Sequence, residues 1–201
     1  MRLAPDDVLA QCVVGDTRRW LERAVIGLNL CPFAKAVWAR SQIHFAVSAA
    51  NDARSLLNDL RQEMDELLAC SPKDRDTSLL MAACCMGDFR EFNGLLGRAD
   101  KLLRKQDLEG VLQIASFHPD YQFADATGDA IGSYTNRAPY PTLHLLRESS
   151  VDRAVSAFPD ASLIVERNLA TLQQLGEEGW RRLGAGRSPE PGIEGVEDGQ
   201  A

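Results

Sequence analysis

The chain predicts an α/β domain, with α+β as the alternative: about four strands in a mixed sheet flanked by helices, in the order αβαβαβ–long loop–βαα. Three observations predict it. Leu79–Met86 is a short, wholly apolar run bounded by polar residues, the pattern of a central strand buried on both faces. Asn51–Cys70 and Asp88–Lys105 carry apolar residues at helical spacing, so long helices separate the strands on either side. Between the candidate strands Val111–Phe117 and Thr142–Leu146 lie about 24 residues with no helical period, far more than the roughly 4 to 6 of an ordinary connection.

Taken in order, Val8, Leu9, Cys12 and Val13 suggest a first turn of helix, with Gly15 as a weak point. Asp16 is placed to cap a helix running to about Leu28, with Trp20, Leu21, Ala24, Val25 and Leu28 as its stripe. Pro32 suits the first position of another helix, which puts Cys31 at the N-cap of a segment reaching about Arg40. Gln42–Ser48 alternates Ile43, Phe45 and Val47 with His44, Ala46 and Ser48, a half-buried strand with His44 opposite the large side chains.

The helix beginning at Asn51 or Asp52 has Ala53, Leu56, Leu57, Leu60, Met64, Leu67 and Leu68 as its stripe. Cys84 and Cys85 fall within the central strand and so point to opposite faces. Asp88 with Glu91 forms a capping box ahead of Phe89, Phe92, Leu95, Leu96, Ala99, Leu102 and Leu103, and Gly94 and Gly97 would let another element approach. Ser149 or Ser150 starts a short helix that Pro159 stops, and Asp160 caps a last one ending at Gly176. Gly179–Trp180 closes the domain, which spans residues 1–183. Residues 184–201 read as a disordered acidic tail rich in glycine and proline. Long helices between the first, second and third strands predict parallel neighbours, and the fourth strand is free to run antiparallel.

Net charge is −7, of which the tail holds −3. A body of that sign has no electrostatic footprint for nucleic acid or an anionic membrane. The five cysteines are odd in number and lack C-x-x-C spacing, which argues against a disulfide framework or zinc ribbon and for a cytoplasmic protein with reduced thiols. No apolar run approaches the roughly 20 residues of a membrane span. Oligomeric state leaves no mark.

The long loop concentrates the chemistry. It and its flanks, residues 116–148, hold all three tyrosines and two of the three histidines, His118 and His144. Residues before proline avoid the helical region, so His118, Ala138 and Tyr140 are held extended. Three readings follow. In the leading one, a small-molecule enzyme uses a hydrolytic or thiol site built from the Cys31 turn and residues 117–141. Cys31 would be the nucleophile, activated by a helix start and Lys35, with His118 or His144 as base. A divalent metal on His118 and His144 would assist it if the third and fourth strands are antiparallel neighbours. In the second, Arg137, Arg147, Asn136, Tyr121 and Tyr140 bind an anionic small molecule without chemistry. In the third, the chain is a protein-interaction domain. The bland readings stand beside these: a His–Pro histidine bonded to backbone, a satisfied core histidine on a strand, a buried thiol in a tight turn.

Leu28-Asn-Leu-Cys-Pro-Phe-Ala34, Ser116-Phe-His-Pro-Asp-Tyr-Gln-Phe123 and Tyr134-Thr-Asn-Arg-Ala-Pro-Tyr-Pro-Thr-Leu-His-Leu-Leu-Arg-Glu148 resemble the signature segments of the bacterial and plant family grouped as domain of unknown function 1415. The resemblance covers roughly Asp16–Leu183. It implies that Cys31, His118, Asn136, Arg137 and His144 belong to the family's motifs, and it implies no particular activity.

Overall fold

The computed structural model describes residues 2–4, 7–124, 131–157 and 162–189. Helix α1 (Val8–Trp20) is capped by Asp7, whose carboxylate accepts the Leu9 and Ala10 amides, and it runs on as a π-helical segment, Leu21–Ile26. The helix passes through Gly15 without a break. Asp16 is therefore an interior residue and not the expected cap. Short helix α2 (Ala34–Ala39) precedes strand β1 (Ile43–Ser48). Helix α3 (Ala53–Ala69) is capped by Asp52 and followed by β2 (Thr77–Ala82). Helix α4 (Phe89–Lys105) is capped by Asp88 and followed by β3 (Leu112–Phe117). The long loop contains a 3-10 turn, Ile131–Asn136, and leads to β4 (Thr142–Arg147), α5 (Glu148–Ala157) and α6 (Ser162–Arg182). Pro159 and Asp160, the expected stop and cap, lie outside the described residues. The span of α6 is broken at Gly176, the expected end of the helix: φ 65° and ψ 173° are not helical, and a second helical segment follows.

The sheet order is β1-β2-β4-β3. Strands β1 and β2 are parallel, while β4 is antiparallel to both of its neighbours. The second and third strands share a direction but are not neighbours, because the returning β4 occupies the place between them. Every residue of β2 is buried, as the apolar run predicts for Leu79–Ala82, and so are Thr77 and Ser78 ahead of that run. That strand stops at Ala82, so Cys84 and Cys85 lie in the following bend rather than on opposite faces of a strand.

Two apolar clusters sandwich the sheet. On one face Leu56, Leu60, Met64, Phe92 and Leu95 of α3 and α4 meet Leu80, Leu143 and Leu145. On the other, Val13, Trp20 and Ala24 of the first helix meet Val47, Leu79 and Met81. Gly94 and Gly97 do not serve close packing: a Cβ at either position would meet nothing within 4 Å. A buried charged seam crosses the α3 face. Glu63, fully buried, pairs with Arg75 and lies 2.6 Å from Arg2, while Ser48 donates to the buried Asp59 at 2.6 Å. Burial lowers the Arg75 pKa to about 10. His44, half-exposed at the edge of this seam, is lowered to about 4 by burial and by Arg75.

Residues 184–188, expected in the tail, lie against the first helix. Ala185 is buried against the first helix, Arg19 donates to the Gly184 and Gly186 carbonyls, and Arg23 donates to that of Leu183. Residues 190–201 lie outside the described residues. Strands β1, β2 and β3 point their carboxyl ends to one edge of the sheet, where α3 and α4 begin and the long loop departs. Open α/β sheets place ligand sites at such an edge.

Candidate functional site

The loop is pinched at its base. The His118 amide donates to the Asn136 carbonyl at 3.1 Å, and the Ala138 amide donates back to the His118 carbonyl at 3.4 Å. The Asn136 side chain completes the clasp: its amide donates to the Ser116 carbonyl at 3.2 Å, and its oxygen accepts from Thr135 at 3.0 Å. Asn136 is thus a staple of the loop.

His118 is fully buried between Phe89 and Phe92, each ring centre 5.3 Å away. Its Nδ1 accepts the Asp120 amide at 3.0 Å, so its Nε2 carries the proton donated to the Met86 carbonyl at 2.9 Å. Burial lowers its pKa, and both ring nitrogens are committed to backbone. Met86 is buried at φ 61°, a left-handed conformation that is costly for a bulky side chain. The imidazole clamps that turn between β2 and α4.

His144 is on the other face. It stands opposite Leu79 and Ala115 in the sheet, its ring 6.0 Å from Phe117, which in turn packs edge-on to Trp20 of the first helix at 5.2 Å. The Thr77 hydroxyl lies 2.7 Å from Nε2 and gives its own proton to the Leu145 carbonyl at 2.5 Å, so the imidazole is the donor. Burial pushes the ring's pKa down to about 4. Strands β3 and β4 are antiparallel neighbours, yet the two histidines do not meet. His118 is one residue past Phe117 and takes the opposite face, so a joint metal or catalytic pair is not formed. Among the described residues no group of three or more His, Cys, Asp or Glu side chains could hold a metal ion.

Cys31 is not at a helix N-cap, because α2 starts only at Ala34. Its carbonyl accepts the Ala34 amide at 3.2 Å, and its half-buried side chain packs against the cluster that contains Tyr140 and Ala138. The Cys31 turn does reach the loop: Leu30 shares a cluster with Tyr134 and Leu172, and Asn168 of α6 donates to the Leu30 carbonyl at 2.8 Å. Cys84 is the exposed thiol of the five. Burial, with Glu91 nearby, pushes the Cys85 thiol up to about 11.

The expected ligand-binding residues divide. Tyr121 and Arg137 stay together at the carboxyl edge. The Arg137 guanidinium carbon lies over the Tyr134 ring, 3.9 Å from its centre, and Nε is 3.5 Å from the Tyr121 carbonyl. Tyr134 is in turn wedged edge-on against Trp180 at 5.2 Å. Tyr140 instead points to the first helix, where its hydroxyl donates to Asp16 at 2.9 Å; burial and that carboxylate push its pKa up to about 12. Arg147 pairs in register with Leu112, at the far end of β3 from His118. Its Nη2 donates to the carbonyls of Leu67, Cys70 and Arg75 at 2.6, 2.8 and 3.3 Å, closing the carboxyl end of α3. It is a helix cap and not part of the loop site.

Asp16, Ser188 and Arg187 form a construction that sequence reading missed. Buried Asp16 accepts from Tyr140, Arg19, the Ser188 hydroxyl at 2.6 Å and the Ser188 amide at 2.9 Å, while Arg187 covers the Tyr140 ring at 4.4 Å. The Ser188, Tyr140 and Arg19 bonds hold the Asp16 pKa down against its burial. One signal was available: Asp16 falls between Val13 and Trp20 on the inward stripe, where an acid needs a buried partner.

No helix among the described residues is long and apolar enough to cross a membrane. No curated protein and no solved structure matches the chain. A family described as Protein of unknown function (DUF1415) matches residues 12–182, which take in the Cys31 turn, the clasped loop and every strand; the chain belongs to that family.

Proposed function

We propose that this protein binds a small anionic molecule at the carboxyl edge of its parallel strands, with Arg137 as the anchoring cation. One observation carries the reading. Arg137 is half-buried with its guanidinium over the Tyr134 ring, yet among the described residues no carboxylate pairs with it, and the one hydrogen bond of its guanidinium, to the Tyr121 carbonyl, is long. A planar guanidinium held in place with unspent donors suits a carboxylate or phosphate, because little freedom remains to be lost on binding. Arg147, by contrast, is at the far end of β3 from the loop, with its Nη2 on three carbonyls.

The Cys/His enzyme reading draws on the contact between the Leu30–Cys31 turn and the loop. Base chemistry at His118 would first have to break its bond to the Asp120 amide, which weakens that reading beside the binding one.

Ligand-observed NMR with inorganic phosphate, acetate and benzoate tests the proposal against an Arg137→Gln protein of unchanged circular dichroism. Binding of at least one anion should fall tenfold or more in the variant. Equal binding to both proteins would refute it.

A further inference from the structure

A row of rings climbs from the core to the surface beside Arg137. Phe92 and His118 are fully buried and stand 5.3 Å apart. His118 meets Phe89 at 5.3 Å, Phe89 meets Tyr121 at 5.2 Å, and Tyr121 meets Phe123 at 5.1 Å. Exposure increases along the row, and the last ring, Phe123, is 40% exposed. The row and the cation share one mount. Arg137 reaches the carbonyl of Tyr121, whose ring is in the row, and the Phe123 amide approaches the hydroxyl of buried Ser133 at 3.4 Å. Ser133 adjoins Tyr134, the ring on which Arg137 lies.

From this juxtaposition, and resting on the anion reading above, we infer that the ligand is a planar aromatic ring bearing a carboxylate. An aliphatic anion would use the guanidinium and leave the outer rings wet. A neutral arene would cover Arg137 without satisfying it. Rings prefer offset or edge contacts at the spacings this row already shows, so a further ring continues it past Phe123. Charge selects the anion. Asp88 caps α4 two residues after Met86, and Asp120 is exposed next to the Tyr121 turn, so a singly charged carboxylate suits the edge better than a phosphate dianion.

Isothermal titration with 2-naphthoate and cyclohexanecarboxylate, two probes of equal charge, tests this on the full chain. Naphthoate should bind at least tenfold more tightly. Phe123→Ala should abolish the difference, Phe123→Leu should restore little of it, and Arg137→Gln should weaken both probes. Equal, Arg137-dependent binding of the two carboxylates would overturn the ring platform and leave the anion site standing. Absence of binding by both, or binding indifferent to Arg137→Gln, would remove the anion site and the platform with it. Phe123 is exposed, so its substitution leaves the core intact, which a thermal melt verifies.

Discussion

The Nε2 of His118 lies 2.9 Å from the carbonyl oxygen of Met86, and this bond joins the end of β3 to a left-handed turn after β2. A fully buried imidazole with both nitrogens on backbone is a structural clamp. His118→Ala should leave the Met86 carbonyl and the Asp120 amide without their partner and open a cavity against Phe89 and Phe92. The expected loss is about 3 kcal/mol of stability, read as a lower denaturant midpoint. An unchanged midpoint would show that the clamp contributes nothing.

His144 makes the fold acid-sensitive. The folded state holds its ring neutral, whereas an unfolded histidine takes up a proton near pH 6.5. Its contribution is therefore complete above about pH 6.5 and is lost as pH falls toward about 4, the value to which burial pushes it. Over that window it amounts to about 3 kcal/mol, and the lowered His118 pKa acts in the same direction. Urea denaturation at pH 7, 5.5 and 4.5 should show a smaller loss on acidification in His144→Leu than in the wild type.

Arg147 should matter to stability and not to binding. All three bonds to the carbonyls at the end of α3 come from one nitrogen, Nη2, a pattern that a lysine ammonium with its three donors reproduces in part. Arg147→Met should lose about 2 to 4 kcal/mol and Arg147→Lys less, while anion affinity at the loop stays unchanged in both. A variant of normal stability with weakened anion binding would return Arg147 to the ligand site.

The segment after Leu183 should be part of the folding unit. Removing residues 184–201 strips Asp16 of both Ser188 bonds and takes away buried Ala185, and Ser188→Ala alone should cost about 1.5 to 3 kcal/mol because the acceptor is a buried carboxylate. The Asp16 pKa is lowered on folding, so this stabilisation is present above the usual aspartate value and fades as pH falls below it. Chemical denaturation of the truncated and full chains at pH 7 measures the difference; coincident curves would mean that the segment adds nothing.

The sequence specifies those elements whose signals are local. The stripe of α3 and the Asp88 cap of α4 each depend on residues within one or two turns and form as expected, while the apolar run Leu79–Met86 marks a buried strand that in fact runs from Thr77 to Ala82. It also marked the clasped loop, since its length and its rings are read directly, together with Tyr121 and Arg137, which stay there. Tertiary structure decided the rest. Alternation says which side chains share a face within one strand, but His118 lies one residue beyond β3, and that single step sets it and His144 on opposite faces. Whether Arg147 meets a ligand or a helix end depends on the register of β4, and whether Asp16 caps a helix or holds Tyr140 and Ser188 depends on contacts 124 and 172 residues away. Hydrogen bonds of such span are selected by the packing of the whole chain, and no local pattern encodes them.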